Sequence, residues 1–407
     1  MNLKKAVQPK ETKEAKEFES FTQTRPPPCR VYGGCLRTSF LSASVVSFGH
    51  SIAGLRMNHL RSVWPFLLTL LLATASCVSH PPENPPLTRY EYQQAQMGLP
   101  FRIVLYAPDQ LRADRAAEAG FQRIKQLNDS MSDYEPESEL SKLSRTSGSG
   151  NEVRVSADLW RVLKRSQELA ERSTGAFDVT VGPCVNLWRK ARREEKMPDP
   201  ARLLEARQAV GYQHVRLRPA RRAVELLVPN MRLDLGGIAK GFAVDEALRA
   251  LGGNGIKQAL VAGGGDMAVS GPPPGKRAWH IAIAPLDTTN APPGPVVLLR
   301  HAAIATSGDV FQRLNIDGKR YSHIVDPRTG IGLVDHSLVS VIAKDCMTAD
   351  SLTKVVSVLG PERGLKFIEA TPGVAGRVVR KPGERIEAYE SSKFARYYEK
   401  KDSSVRP

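Results

Sequence analysis

The sequence predicts an α+β fold, a single domain of mixed or antiparallel sheets with flanking helices. Three observations lead there. Apolar content of 41% and charged content of 25% over 407 residues are the values of a chain with a sizeable core. Strand-like and helix-like stretches mix without the regular alternation that builds a doubly wound parallel sheet. No fixed-period repeat runs along the chain.

Taken in order, "RYEYQQAQMGLPFRIVLYAP" (89–108) alternates as strand does, with a bulge or turn at Met97-Gly98. Residues 110–132 carry apolar side chains at helical spacing and end near Asn128-Asp129. Residues 133–150 read as a loop and a short helix. Ser156 caps a helix that stops before Gly175, and the charged stretch 189–208 continues the helical portion. "HVRLRPARRAVELLVPNMRLDLGG" (214–237) reads as strands joined by a polar turn, the last strand running into Gly236-Gly237. A helix follows at about 238–251. Then come the strand "KQALVAGGGDMAVSG", the strand "WHIAIAPL", and a strand followed by the loop "ATSGD". "KRYSHIVDPRTGIGL" reads as strand and turn, and "SLVSVIAK" as strand. Helices at roughly 347–359 and 361–370 and a final strand pair close the chain.

The N-terminus carries targeting information. "MNHLRSVWPFLLTLLLATASC" (57–77) has a His/Arg start, a short apolar run and small residues before Cys77. About a dozen apolar residues cannot span a bilayer, which takes roughly 20. The proportions are those of a secretory signal peptide. "TASC" is similar to a bacterial lipobox, with Thr74 where Leu is usual, and in a lipobox the cysteine becomes the lipidated first residue. The predicted organisation is therefore an over-extended N-terminal segment at 1–56 and a lipoprotein signal at 57–76. A Pro-rich tether at 77–88 and one domain at 89–400 complete it. With Cys77 lipidated, only Cys184 and Cys346 remain, too few for a disulfide framework. The net charge of +16 comes from scattered Arg and Lys, without zinc-finger spacing or an RNA-binding aromatic motif, so nucleic acid is not an expected partner.

Several short motifs are weak singly. "DLGGIAKGFAVD" (234–245) is a glycine turn entering a helix, where backbone N–H groups suit an anion. "GGGDM" brings glycines to a strand end, and "CMTADSLTK" puts Asp350 near a helix start, where capping alone would explain it. His323 sits in the polar stretch "YSHIVDPRTG". In order they are "MGLPF", "MSDYEPESELSKLSR", "TGAFDVTVGP", "DLGGIAKGFAVD", "GGGDM", "ATSGD", "YSHIVDPRTG" and "CMTADSLTKVVSVLG". In that order and wording the chain resembles the FAD:protein FMN transferase (ApbE) family from about Met97 to Gly360.

The resemblance implies an ApbE-type domain and a Mg²⁺-dependent enzyme. It would cleave FAD and join FMN through a phosphoester to a Ser or Thr hydroxyl of an exported flavoprotein, releasing AMP. The acceptor would be a subunit of a membrane redox complex, and the enzyme would sit lipid-anchored in a bacterial cell envelope, facing the periplasm. By family position the FAD contacts are Met97, Tyr134, Ala176, Phe177, Asp178, Asp234, Lys240 and Ile324. The metal falls to Asp350, Thr353 and the carbonyl of Gly237, and His323 is the candidate base, since imidazole titrates near neutrality. One departure stands out. Four positions after Asp350 the family carries a metal-binding Thr; here that position is Lys354, and Thr353 stands one earlier. A protonated lysine cannot ligate a metal. The alternatives are an FAD pyrophosphatase, with water as acceptor, and a flavin-binding lipoprotein without turnover.

Overall fold

The computed structural model describes residues 85–286, 294–309 and 312–399; the signal segment, Cys77 and the first part of the tether lie outside them. β1 (Thr88–Gln96) and β2 (Leu99–Ala107) make an antiparallel hairpin around Met97-Gly98, both at positive φ. β3 (Ala259–Gly263) and β4 (Asp266–Val269) make a second hairpin. β5 (Ala302–Gly308), β6 (Ser337–Ala343), β7 (Ala375–Arg380) and β8 (Glu387–Glu390) complete an eight-stranded sheet. These strands lie side by side in chain order, and every pair is antiparallel.

The helices are α1 (Gln110–Met131), α2 (Glu139–Ser144), α3 (Ala157–Arg172), α4 (Gly182–Glu194), α5 (Pro200–Gln208), α6 (Ala239–Gly253) and α7 (Cys346–Glu369). α1, α6 and α7 share one core with Phe101, Ile103, Val261, Ala305, Val339 and Val341 of the sheet. The opposite face packs Val104, Leu260, Ile304 and Ile342 against Trp279, Val297, Leu299 and Phe394. Burial on both faces explains why "ALVAG" and "SLVSVIA" read as near-continuous apolar runs instead of alternating.

Local chemistry sets the helix ends. Asp109, Ser138, Ser156, Asp199 and Asp345 each accept a first-turn N–H of the helix that follows. At Gly360 the backbone turns to φ 76°, ψ 175° before Pro361, so α7 consists of two helical pieces meeting at the predicted break.

Five expectations are corrected. α1 runs on to Met131, because Leu127 and Met131 still reach the core. The stretch 189–208 is not one helix: Glu195 takes a left-handed conformation at the end of α4, and α5 restarts after Asp199-Pro200. "KQALVAGGGDMAVSG" is a hairpin, not one strand, since Gly264 at φ 63° reverses the chain. "ATSGD" is no loop, because residues 305–308 pair with β6. The predicted strand end before Gly236 also has no ladder. Leu233 and Leu235 are buried, but Leu233 N donates to Ser144 Oγ and Asp234 N to the Val179 carbonyl.

Candidate active site

Gly236-Gly237 opens α6, and two clusters meet at this turn. The first is a guanidinium–aromatic stack. Arg189 of α4 donates to Asp234 Oδ2 at 2.8 Å and also to the Asp133 carboxylate. Its guanidinium lies 4.5 Å from the centre of the Tyr134 ring, and Tyr134 is 70% exposed. Asp234 Oδ1 accepts Gly236 N–H at 2.7 Å, so one carboxylate ties the turn to this stack.

The second cluster is ionic and buried. Lys240 Nζ lies 2.6 Å from Asp266 Oδ2 and 3.3 Å from Asp350 Oδ2. Lys354 Nζ pairs with Asp350 Oδ1, donates to Ser307 Oγ at 2.7 Å and lies 3.1 Å from Thr353 Oγ1. Asp350 is fully buried and also accepts the Gly241 N–H at 3.1 Å. That bond needs glycine: a Cβ on Gly241 would stand 2.3 Å from the Cys346 carbonyl and 2.8 Å from Asp350 Cβ. The missing side chain lets α6 and α7 touch.

Opposing effects set the charges here. Burial works against the charge on Lys240, but Asp266 and Asp350 overcome it and raise its pKa. Burial likewise pushes Asp350 up, yet Lys240 and Lys354 hold it below the usual carboxylate range. Asp266 is pushed up by burial and by Asp350. The result is two carboxylates balanced by two ammonium groups.

His323 stands on the loop after the hairpin Arg313–Ile316 and Lys319–Ser322. The imidazole is half-buried, and Nδ1 lies 3.2 Å from the Gln312 carbonyl. A carbonyl only accepts, so Nδ1 carries the proton and Nε2 offers its lone pair. Burial first, then Lys354 and Arg192, pull the pKa of His323 down to about 4. The ring is a neutral acceptor near pH 7.

The predicted residues therefore divide. Asp234, Gly237, Lys240, Asp350 and Thr353 come together around the turn, with Tyr134 on the stack. Ala176 and Phe177 are buried, Phe177 beneath Gly237, where a Cβ would meet its ring at 3.4 Å. Phe177 therefore packs as the floor of the turn. The Asp178 carboxylate is committed to its own loop, accepting Thr180 N at 2.8 Å and Thr180 Oγ1 at 2.7 Å. Met97 is half-buried in the β1–β2 turn, and Ile324 is buried. Sequence reasoning missed Arg189, Asp266 and Ser307 as site members. The acid directly after the glycine turn in "GGGDM" was a usable signal for Asp266; nothing local marked Arg189.

The ApbE family model matches residues 97–378. The chain belongs to the ApbE family. Among ApbE relatives, an FAD:protein FMN transferase of Vibrio cholerae is 30% identical over 341 residues, covering 83% of this chain and 99% of its own. One of Haemophilus influenzae is 34% identical over 252 residues, covering 60% of this chain and 73% of its own. The solved structure of the Vibrio cholerae flavin transferase ApbE matches with TM-score 0.68 at 30% identity, covering 77% of this chain and 100% of that one. The apo Pseudomonas stutzeri flavinyl transferase ApbE matches with TM-score 0.69 at 26% identity, covering 77% and 98%. Every candidate residue described above falls inside the ApbE match.

Proposed function

We propose that this chain is an FAD:protein FMN transferase. One observation carries the reading. The turn at 234–237 joins an exposed Tyr134–Arg189 stack to a pair of buried ammonium groups, and His323 holds a neutral imidazole near them. A flat ring system beside a pyrophosphate asks for that combination.

Phosphoryl transfer requires positioned phosphates, neutralised charge and an in-line nucleophile. In this reading the acceptor hydroxyl oxygen forms a bond to the phosphorus on the FMN side of FAD. The bond from that phosphorus to the bridging oxygen breaks, and AMP leaves with that oxygen. The hydroxyl proton passes to His323 Nε2. Lys240 and Lys354 offset the phosphate charge, while Asp234 holds the turn. Met97, Tyr134, Ala176, Phe177, Asp178 and Ile324 border the nucleotide, Asp178 through its loop and not its carboxylate.

Magnesium, the metal implied by the family resemblance, would draw on Asp350, Thr353 and the Gly237 carbonyl. Those atoms do not fit a divalent ion as they stand. Both Asp350 oxygens are engaged by Lys354, Lys240 and Gly241 N, and Thr353 Oγ1 lies 2.6 Å from the Asp350 carbonyl and 2.9 Å from Ser307 Oγ. Among the described residues no three His, Cys, Asp or Glu side chains converge to replace them.

The acceptor is proposed to be an exported flavoprotein, a subunit of a membrane redox complex, met at the periplasmic face by an enzyme lipidated at Cys77. No helix among the described residues is long and apolar enough to cross a membrane. The test supplies FAD with a Thr-containing acceptor peptide. A flavin-labelled peptide plus AMP supports transfer. Free FMN without labelled peptide makes the chain a pyrophosphatase, and bound but intact FAD makes it a flavin carrier.

A further inference from the structure

We infer that the Lys354 ammonium is a built-in cation that takes the place of a divalent metal between Asp350 and the pyrophosphate, so that the chain binds FAD without a metal ion. The inference rests on the flavin-transfer reading for its ligand, but its geometry stands independently.

An ammonium group has three N–H donors. Lys354 Nζ meets three oxygens: Asp350 Oδ1, Ser307 Oγ at 2.7 Å and Thr353 Oγ1 at 3.1 Å. One carboxylate and two hydroxyls from α7 and β5 are the donor set that a small hard cation would ask for at this spot. The lysine has entered that set instead of pointing to solvent, and its side chain is only 14% exposed.

The stem is also held in place. A Cβ on Gly237 would stand 3.3 Å from Lys354 Cγ and 3.5 Å from Cε, so the aliphatic chain runs directly beneath the glycine turn. Charge makes the same point. Asp266 and Asp350 are already balanced by Lys240 and Lys354, whereas a neutral residue at 354 would leave one negative charge for an ion to answer. A divalent ion added here would sit within a few Å of two ammonium groups and would have to expel one of them. The ammonium also avoids the octahedral hydration that Mg²⁺ insists on.

The experiment has two readouts on the full chain. Mn²⁺ is titrated without flavin and its free fraction read by electron paramagnetic resonance. FAD affinity is measured by fluorescence in EDTA and in Mg²⁺. Wild type should leave Mn²⁺ free, and its FAD affinity should change less than about twofold between EDTA and Mg²⁺. Lys354→Thr should capture Mn²⁺, lose about 10- to 100-fold in metal-free FAD affinity, and regain it with Mg²⁺, a loss on the order of one partly screened ammonium–phosphate attraction. Lys354→Met should show the same loss without recovery. Stoichiometric Mn²⁺ capture by wild type, or FAD binding that EDTA abolishes and Mg²⁺ restores, would overturn the inference. These wild-type measurements decide even if a variant fails to fold. Metal-free FAD binding without any labelled peptide overturns only the transfer reading. No FAD binding in either condition overturns both.

Discussion

His323 has its neutral form set by its neighbours. The ring cannot become imidazolium cheaply beside Lys354 and Arg192 in a half-buried loop, so its pKa falls to about 4. The neutral form is the base, and it persists as pH drops from 6.5 until about 4. The acid limb of kcat/KM should therefore fall near pH 4, not near 6.5. Bound pyrophosphate would answer part of the cationic field, so the limb of kcat should lie higher than that of kcat/KM. A pH–rate profile with both limbs near 6.5 would show that the neighbours do not act on the ring. Replacing the base should spare binding, because proton transfer is used only in the transition state. His323→Ala is expected to lose about 10²–10⁴ in kcat with FAD affinity near wild type. Turnover assays beside FAD titrations would check this. "YSHIVDPRTG" made the histidine visible in the sequence. Its tautomer and charge depend on Gln312, Lys354 and Arg192, which lie outside that motif.

At the scale of elements, the start of α7 carries the site. Asp350, Thr353 and Lys354 lie within its first turns, and the first N–H groups need acceptors. Asp345 takes Thr348 N at 2.8 Å, and Asp245 of α6 takes Cys346 N and Met347 N at 2.8 Å each. Asp245→Ala should cost about 1–2 kcal/mol of stability through those bonds and weaken FAD binding by loosening α7. Thermal melts and flavin titrations on one preparation test both effects together. Burial pushes Asp245 up to about 7, against the pull of its two N–H partners. A raised folded-state pKa gives stability that is complete below the unfolded value near 3.8 and lost as pH rises through about 7. Asp245→Asn removes that titration. Its stability relative to wild type should therefore improve as pH rises from about 4 to 7, and a constant difference in melting temperature would rule the titration out. The break of α7 at Gly360-Pro361 was legible as sequence, and so was the cap at Ser156; the α7 cap was not, because it is Asp345 and not Asp350, which lies inside the helix. The role of Asp245 was not, because it serves a helix 101 residues away.

Across the whole molecule, the sheet runs in chain order and is covered on both faces, and the site forms where β4, β5, α6 and α7 meet. The hairpin that leads to His323 is tied to this frame by buried Asp309, which pairs with Arg320 and accepts His336 Nδ1 at 2.8 Å. The remaining prediction concerns delivery to a membrane. If Cys77 is lipidated, mature protein from cells begins at Cys77 and partitions into detergent, and Cys77→Ser releases soluble or unprocessed protein. Mature protein that retains residues 1–56 would end that reading.

The sequence by itself determined the family, through motifs whose order and wording extend from Met97 to Gly360, and with it the α+β class. It also marked most helices and strands, because periodicity, caps and glycine or proline breaks are local properties of the chain. It identified Lys354 as a departure from the family's metal-binding Thr. Only the tertiary structure decided where that ammonium goes. Helical spacing brings Lys354 to Asp350, but Ser307 comes from β5, Lys240 from α6 and Asp266 from β4. Their charges take their values from burial, which exists only once those elements have packed and water has left.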